Sequence, residues 1–143
     1  MIPGMILVVD DEKAQRETLS GILEKWGHEV HQAASAEDAL EMLGRQPIDL
    51  ILTDLRMPGL SGVELLQESR LVRPDIAVIV MTAFGTIDGA VEAMRTGASD
   101  FLTKPIDLDQ LEIVVQRTMS RKRLERENRN LRRRLEETTT GFT

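Results

Sequence analysis

The sequence predicts an α/β fold, a doubly wound parallel sheet of five strands covered by helices on both faces. Short continuous apolar runs recur that do not alternate with polar residues, as expected of strands buried on both faces. Each run is followed by a stretch of helical spacing, so the order reads βαβαβαβαβα, the pattern of a parallel sheet with crossover helices. The length of 143 residues fits one domain with a remainder, since domains cluster near ~100–150 residues.

The first strand is Met5-Ile6-Leu7-Val8-Val9, stopped by Asp10-Asp11. A helix over about 13–26 follows, with Ala14, Thr18, Leu19, Ile22, Leu23 and Trp26 at helical spacing, ended by Gly27. Glu29 to Ala33 is the second strand, and Ser35 is a suitable N-cap for a helix over about 36–45. Asp49 to Thr53 is the third strand, ending at Asp54. The turn-rich Met57-Pro58-Gly59-Leu60-Ser61-Gly62 leads into a helix over about 63–71. Ile76 to Met81 is the fourth strand, ending at Thr82, and a helix over about 86–96 stops at Gly97. Asp100 to Thr103 runs into Lys104-Pro105, and from Asp107 a helical pattern continues to about Glu137.

Composition narrows the function classes. There is no cysteine, which removes disulfides and thiolate metal sites. No apolar run approaches the ~18 residues of a membrane span, and the start shows no basic segment followed by an apolar one, so a cytoplasmic protein is expected. Residues 1–120 hold 10 Lys+Arg against 20 Asp+Glu, a net of −10, whereas residues 121–143 hold 8 against 4, a net of +4. An acidic body with 3% aromatic residues is a poor nucleic-acid binder. The charge reversal divides the chain into a domain over 1–120, a helical linker over 121–137 and the start of a further linker over 138–143.

In open parallel sheets, ligands bind beyond the carboxyl ends of the strands. Here those ends carry Asp10-Asp11, Asp54, Thr82 and Lys104. An Asp at a strand end is by itself usually a turn residue or an N-cap, so the signal lies in the joint occurrence at four ends. Clustered carboxylates repel unless a cation joins them. Oxygen donors suit a hard ion such as Mg²⁺, which keeps waters and takes phosphate oxygens. Lys104 adds a point charge for a phosphoryl oxygen, and Thr82 a hydroxyl for the same group.

Val8-Val9-Asp10-Asp11-Glu12, Leu52-Thr53-Asp54-Leu55-Arg56-Met57-Pro58-Gly59, Met81-Thr82-Ala83 and Phe101-Leu102-Thr103-Lys104-Pro105 resemble the receiver domain of bacterial two-component response regulators. The likeness covers residues 5 to about 120, with the motifs in order. It implies a flavodoxin-like (βα)5 fold. Asp54 is then the phosphoacceptor for a sensor histidine kinase, and Asp10, Asp11, Asp54 and the Arg56 carbonyl hold Mg²⁺. Lys104 pairs with the phosphoryl group and precedes a cis bond to Pro105. Thr82 and Phe101 match the switch pair, with a ring that lacks a hydroxyl and must act through packing. Such a domain is not a turnover enzyme on external substrates, although it supports its own phosphoryl transfer and loss.

A narrower likeness, carried by Thr82-Ala83-Phe84-Gly85-Thr86, Ala90-Val91-Glu92-Ala93-Met94 and Gly97 to Pro105, is to the NtrC/DctD-like class of sigma-54-dependent activators. These place an ATPase and a DNA-binding domain after the receiver. Neither is found here, since there is no GxxxxGK[ST] loop and no room for a helix-turn-helix, so the chain reads as a regulatory fragment. Gly85-Thr86 is expected to give the loop after the fourth strand some freedom.

In the tail, Leu124 and Leu131 fall at heptad d, and Asn128 and Leu135 at a. Asn at one a position is a device for fixing register in a parallel two-stranded coil. Glu127 at g and Arg132 at the next e form an attractive cross-chain pair. A homodimer through this coiled-coil helix is therefore expected, with no membrane contact and no nucleic-acid binding by this part.

The function expected is a phosphorylation-dependent switch that controls an attached output domain for transcription regulation. One alternative is an aspartyl-phosphate phosphatase, which needs a second carboxylate two residues beyond the nucleophile, where this chain has Arg56. The other is a non-phosphorylated dimerisation module, for which clustered carboxylates serve no purpose.

Overall fold

The three central strands form because their apolar runs are buried on both faces, whereas the two edge strands are partly exposed. The computed structural model describes residues 3–83 and 87–140. In chain order the elements are β1 (Met5–Val9), α1 (Lys13–Lys25), β2 (Glu29–Ala33), α2 (Ala36–Arg45), β3 (Leu50–Asp54), α3 (Gly62–Val72), β4 (Ala77–Thr82), α4 (Ile87–Thr96), β5 (Asp100–Thr103) and α5 (Leu108–Thr140). All four strand pairs are parallel, in the order β2-β1-β3-β4-β5. This is the flavodoxin-like order, whose topological switch point lies between β1 and β3.

Alternate residues of each strand feed two cores. Leu7, Val9, Ile51, Val78 and Val80 pack with Ala39, Leu43, Leu65, Leu66 and Ala93, from α2, α3 and α4. Ile6, Val8, Leu50, Leu52, Ile79 and Met81 pack with Leu19 and Leu23 of α1 and with Leu111, Val115 and Met119 of α5. Burying each such large side chain stabilises by about 1.5–3 kcal/mol. A sheet held on both faces is a rigid frame for whatever its strand ends carry.

Local chemistry sets several element ends. The Ser35 side chain accepts the Asp38 N–H and caps α2. Ser61 and Glu64 form a capping box at the start of α3, a pair that sequence reading passed over where the turn-rich stretch meets the helix. Gly27 and Gly97 hold positive φ after α1 and α4, a conformation that favours glycine.

Helix ends differ from expectation by a residue or so, and three further boundaries also differ. β3 begins at Leu50 rather than Asp49, which meets Met5 twice, its N–H donating to the Met5 carbonyl and its carboxylate accepting the Met5 N–H, each at 2.9 Å. β4 begins at Ala77 rather than Ile76, whose N–H closes a turn onto the Arg73 carbonyl at 3.1 Å. α5 continues to Thr140 rather than Glu137, since no Gly or Pro interrupts the threonines before Gly141. The freedom expected of Gly85-Thr86 concerns a stretch outside the described residues. No described helix is long and apolar enough to cross a membrane.

Candidate functional site

The switch point of the sheet brings together the ends of β1 and β3, and with them Asp10, Asp11 and Asp54. One ligand atom from each lies within 4.8 Å of the others. The three are not equivalent. Asp10 is fully buried, Asp54 half-buried and Asp11 exposed.

Asp10 follows β1 and continues its ladder, its N–H donating to the Ala33 carbonyl at 3.2 Å. Its Oδ1 accepts the Glu12 N–H at 2.9 Å, which locks the carboxylate against the first turn of α1. Its main-chain carbonyl accepts from Arg16 Nη1 at 2.8 Å, while Arg16 Nε donates to Gln32 Oε1 at 3.2 Å. Arg16 thus ties together β1, β2 and α1 behind the acidic pair. The other carboxylate oxygen, Oδ2, is buried with no hydrogen-bond partner and lies 3.8 Å from Lys104 Nζ. Burial raises the Asp10 pKa, opposed by the Glu12 hydrogen bond and then by the Lys104 charge.

Asp54 is the last residue of β3. Lys104 Nζ donates to its Oδ2 at 3.0 Å, and the Arg56 N–H approaches Oδ1 at 3.4 Å. The backbone behind it is tightly enclosed. A Cβ at Gly62 would stand 2.6 Å from the Asp54 carbonyl oxygen and 2.8 Å from Leu55 Cα. Only glycine lets α3 begin this close to the β3 end.

Lys104 is delivered by β5, and its N–H donates to the Thr82 carbonyl at 2.7 Å. The Lys104–Pro105 peptide bond is cis. Thr82, at the end of β4, is 1% exposed, and its hydroxyl reaches the Leu102 carbonyl at 3.5 Å. Phe101 on β5 is 40% exposed, so its ring lies at the surface while the neighbouring threonine is enclosed.

The residues present fit a hard divalent cation. Three carboxylates cluster, a primary ammonium reaches two of them, the donor atoms are all oxygen, and one buried oxygen lacks a hydrogen-bond partner. That is the donor chemistry of a Mg²⁺ site.

The heptad residues lie away from this site. From Arg123 to Glu137 every residue is exposed, with Leu124 at 65%, Leu131 at 56% and Leu135 at 68%. Within one chain Glu127 pairs with Arg123 at 3.2 Å, one helical turn away. Sequence reading missed Arg16 and, on α2, Glu37, whose carboxylate accepts the Leu60 N–H at 3.2 Å. Both act across 6 to 23 residues of chain without a periodic signal.

Residues 6–116 match the family described as the response regulator receiver domain. Among curated proteins, the chain is 40% identical over 119 residues to the transcriptional regulatory protein ZraR of Klebsiella oxytoca, covering 83% of this chain and 27% of that one. It is 40% identical over 126 residues to the regulatory protein AtoC of Escherichia coli K12, covering 88% and 27%. The chain therefore spans about a quarter of the length of these relatives. Among solved structures, NtrX from Brucella abortus in complex with ADP superposes with a TM-score of 0.87 at 36% identity, over 91% of this chain and 30% of that one. A response regulator receiver domain protein from Clostridium thermocellum gives a TM-score of 0.81 at 36% identity, over 85% and 98%. By its matched sequence, its strand order and the residues at its strand ends, the chain belongs to the response regulator receiver domain family.

Proposed function

We propose that this domain is a phosphorylation-dependent switch in which Asp54 accepts a phosphoryl group from the phosphohistidine of a sensor kinase. The observation that carries the reading is the meeting of Asp10, Asp11 and Asp54 at the β1/β3 switch point, with Lys104 Nζ 3.0 Å from the Asp54 carboxylate. An Asp54 oxygen forms a bond to phosphorus as the phosphorus–nitrogen bond breaks. The imidazole leaves with the bonding electrons and takes a proton from solvent. Such transfer needs positioning and charge stabilisation more than covalent work.

Mg²⁺ held by Asp10, Asp11, Asp54 and the Arg56 carbonyl would supply neutralisation of charge on the transferred oxygens. Lys104 is already anchored at Asp54 and moves to a phosphoryl oxygen when one is attached, a charge-assisted contact. Among the described residues the Thr82 hydroxyl makes one long contact, to the Leu102 carbonyl, so it can turn toward the new acceptor. The exposed Phe101 ring follows into the space vacated, and the face formed by α4, β5 and α5 changes its partner contacts.

The relatives carry the names of transcription regulators, and the match covers only about a quarter of their length. We therefore read the domain as controlling an ATPase and DNA-binding output of the sigma-54-dependent kind in a longer protein. Residues 1–120 are the receiver, 121–137 the dimerising helix, and the segment from 138 leads toward that output. The outward leucines of α5 support a homodimer through Leu124, Asn128, Leu131 and Leu135. A phosphatase reading lacks its acid/base, because Arg56 occupies the required position.

Sedimentation of the chain with Mg²⁺, with and without beryllofluoride as the aspartyl-phosphate mimic, tests this. The mimic is expected to shift association state or shape in wild type and not in Asp54→Ala. An identical response of the two proteins would overturn the role of Asp54.

A further inference from the structure

We propose that Glu37 is a positioning residue for the phosphoacceptor site, holding from α2 the loop between β3 and α3 that carries Arg56. This rests on the reading above, in which the Arg56 carbonyl is a cation ligand. Glu37 sits in the first turn of α2, two residues after the N-cap Ser35. It lies outside the acidic cluster of Asp10, Asp11 and Asp54.

Its carboxylate touches the loop at two neighbouring points. Oε1 accepts the Leu60 N–H at 3.2 Å. The same oxygen rests against Gly59, whose φ is +81°, at 3.0 Å from where a Cβ would stand. Its pKa is lowered first by its own backbone N–H and then by the Leu60 N–H. Glu37 is exposed, and its place in the first turn of α2, where the helix N-terminus favours negative charge, suits it to hold the loop.

The loop has few other restraints of this kind. The Arg56 N–H reaches Asp54 Oδ1 only at 3.4 Å, and the Gly62 N–H closes the far end onto the Leu55 carbonyl at 2.8 Å. Between them, among the described residues, the Leu60–Glu37 contact is the one hydrogen bond tying residues 57–60 to another element. Met57 and Leu60 pack on the core with Leu40. Apolar packing gives the loop depth, but being non-directional it does not fix how the Arg56 carbonyl is turned. A directed hydrogen bond does. Mg²⁺ tolerates little departure from octahedral geometry, so a loosened loop lowers affinity for the ion.

The test is calorimetric titration of the whole chain with Mg²⁺ alone, on wild type, Glu37→Ala, Glu37→Gln and Asp11→Asn, with the thermal midpoint of each metal-free protein. Outer-sphere partners of metal ligands typically change affinity by about 10–100-fold. This tether is one step further out, and Glu37→Ala is expected to raise the dissociation constant by about three- to tenfold. Its metal-free midpoint should stay close to wild type. Glu37→Gln keeps the oxygen acceptor for Leu60 and should remain within about twofold. Equal loss in both variants would mean that Glu37 acts through charge and not as a tether, which overturns the proposal. Wild-type affinity in Glu37→Ala would overturn it too. If wild type binds no more Mg²⁺ than Asp11→Asn, the cation reading itself fails and takes this inference with it.

Discussion

Asp10 is fully buried, yet one of its carboxylate oxygens has no hydrogen-bond partner, and burial holds its pKa above the ordinary carboxylate value of 3.8. For an acid with a raised folded pKa, the native state binds more protons than the unfolded one between the two values. Stability therefore falls as pH rises through that window, and the penalty is fully present above the folded value. An ionised Asp10 thus destabilises the metal-free fold, as a site built for a cation should. In Asp10→Asn the amide keeps an acceptor for the Glu12 N–H and can donate to the neighbouring carboxylates. We expect it to raise the unfolding free energy of the metal-free chain by about 1–3 kcal/mol, the cost of an unsatisfied buried polar group. It should also flatten the acid limb of the stability–pH curve and abolish stabilisation by Mg²⁺. Urea unfolding across pH, with and without Mg²⁺, checks all three. A variant less stable than wild type without metal would show that Asp10 is satisfied by its protein neighbours.

α5 shows how far an element can be read from its residues. Its buried segment ends at Met119, and beyond it the chain leaves the sheet as one exposed helix. Lys122 Nζ donates to the Asp75 carbonyl at 2.9 Å, Arg126 lies 3.6 Å from Asp49 and Arg129 3.8 Å from Asp75. In the heptad frame these are b and f positions, so the polar face meets the domain and the leucine seam faces away. Exposed pairs of this kind are worth only ~0–1 kcal/mol each, and they bias the seam outward without fixing it rigidly. Leu131→Asp removes no core contact, because Leu131 is 56% exposed. It should abolish the proposed self-association in sedimentation while leaving the thermal midpoint within about 2 °C. A persisting dimer would place self-association on another face.

The strands were legible because a parallel sheet buried on both faces demands continuous apolar runs such as Ile76–Met81, and their ends exposed the polar set in order. What stayed hidden is non-local. The Asp49 carboxylate accepts the N–H of Met5, 44 residues away, and Arg16 and Glu37 brace the site through contacts that no spacing encodes. The helical threonines at 138–140 were read as linker from composition, where the absence of a breaker decides.

At the scale of the whole molecule, a rigid two-faced sheet presents Asp54, Lys104 and Thr82 at one rim, and a basic helix leaves it from α5. The acidic body and basic extension attract one another through Asp49 and Asp75, so the helix direction is set by the same frame that holds Asp54. A change at the rim can reach the helix through β5 and α5, which share the core formed by Leu102, Leu111 and Val115. All of this depends on Asp54 taking a phosphoryl group. Intact-mass spectrometry after incubation with acetyl phosphate and Mg²⁺ asks the question most directly. The account predicts addition of one phosphoryl group to wild type, dependent on Mg²⁺ and absent from Asp54→Ala. Equal addition to both proteins, or none to a folded wild type that binds Mg²⁺, would contradict it.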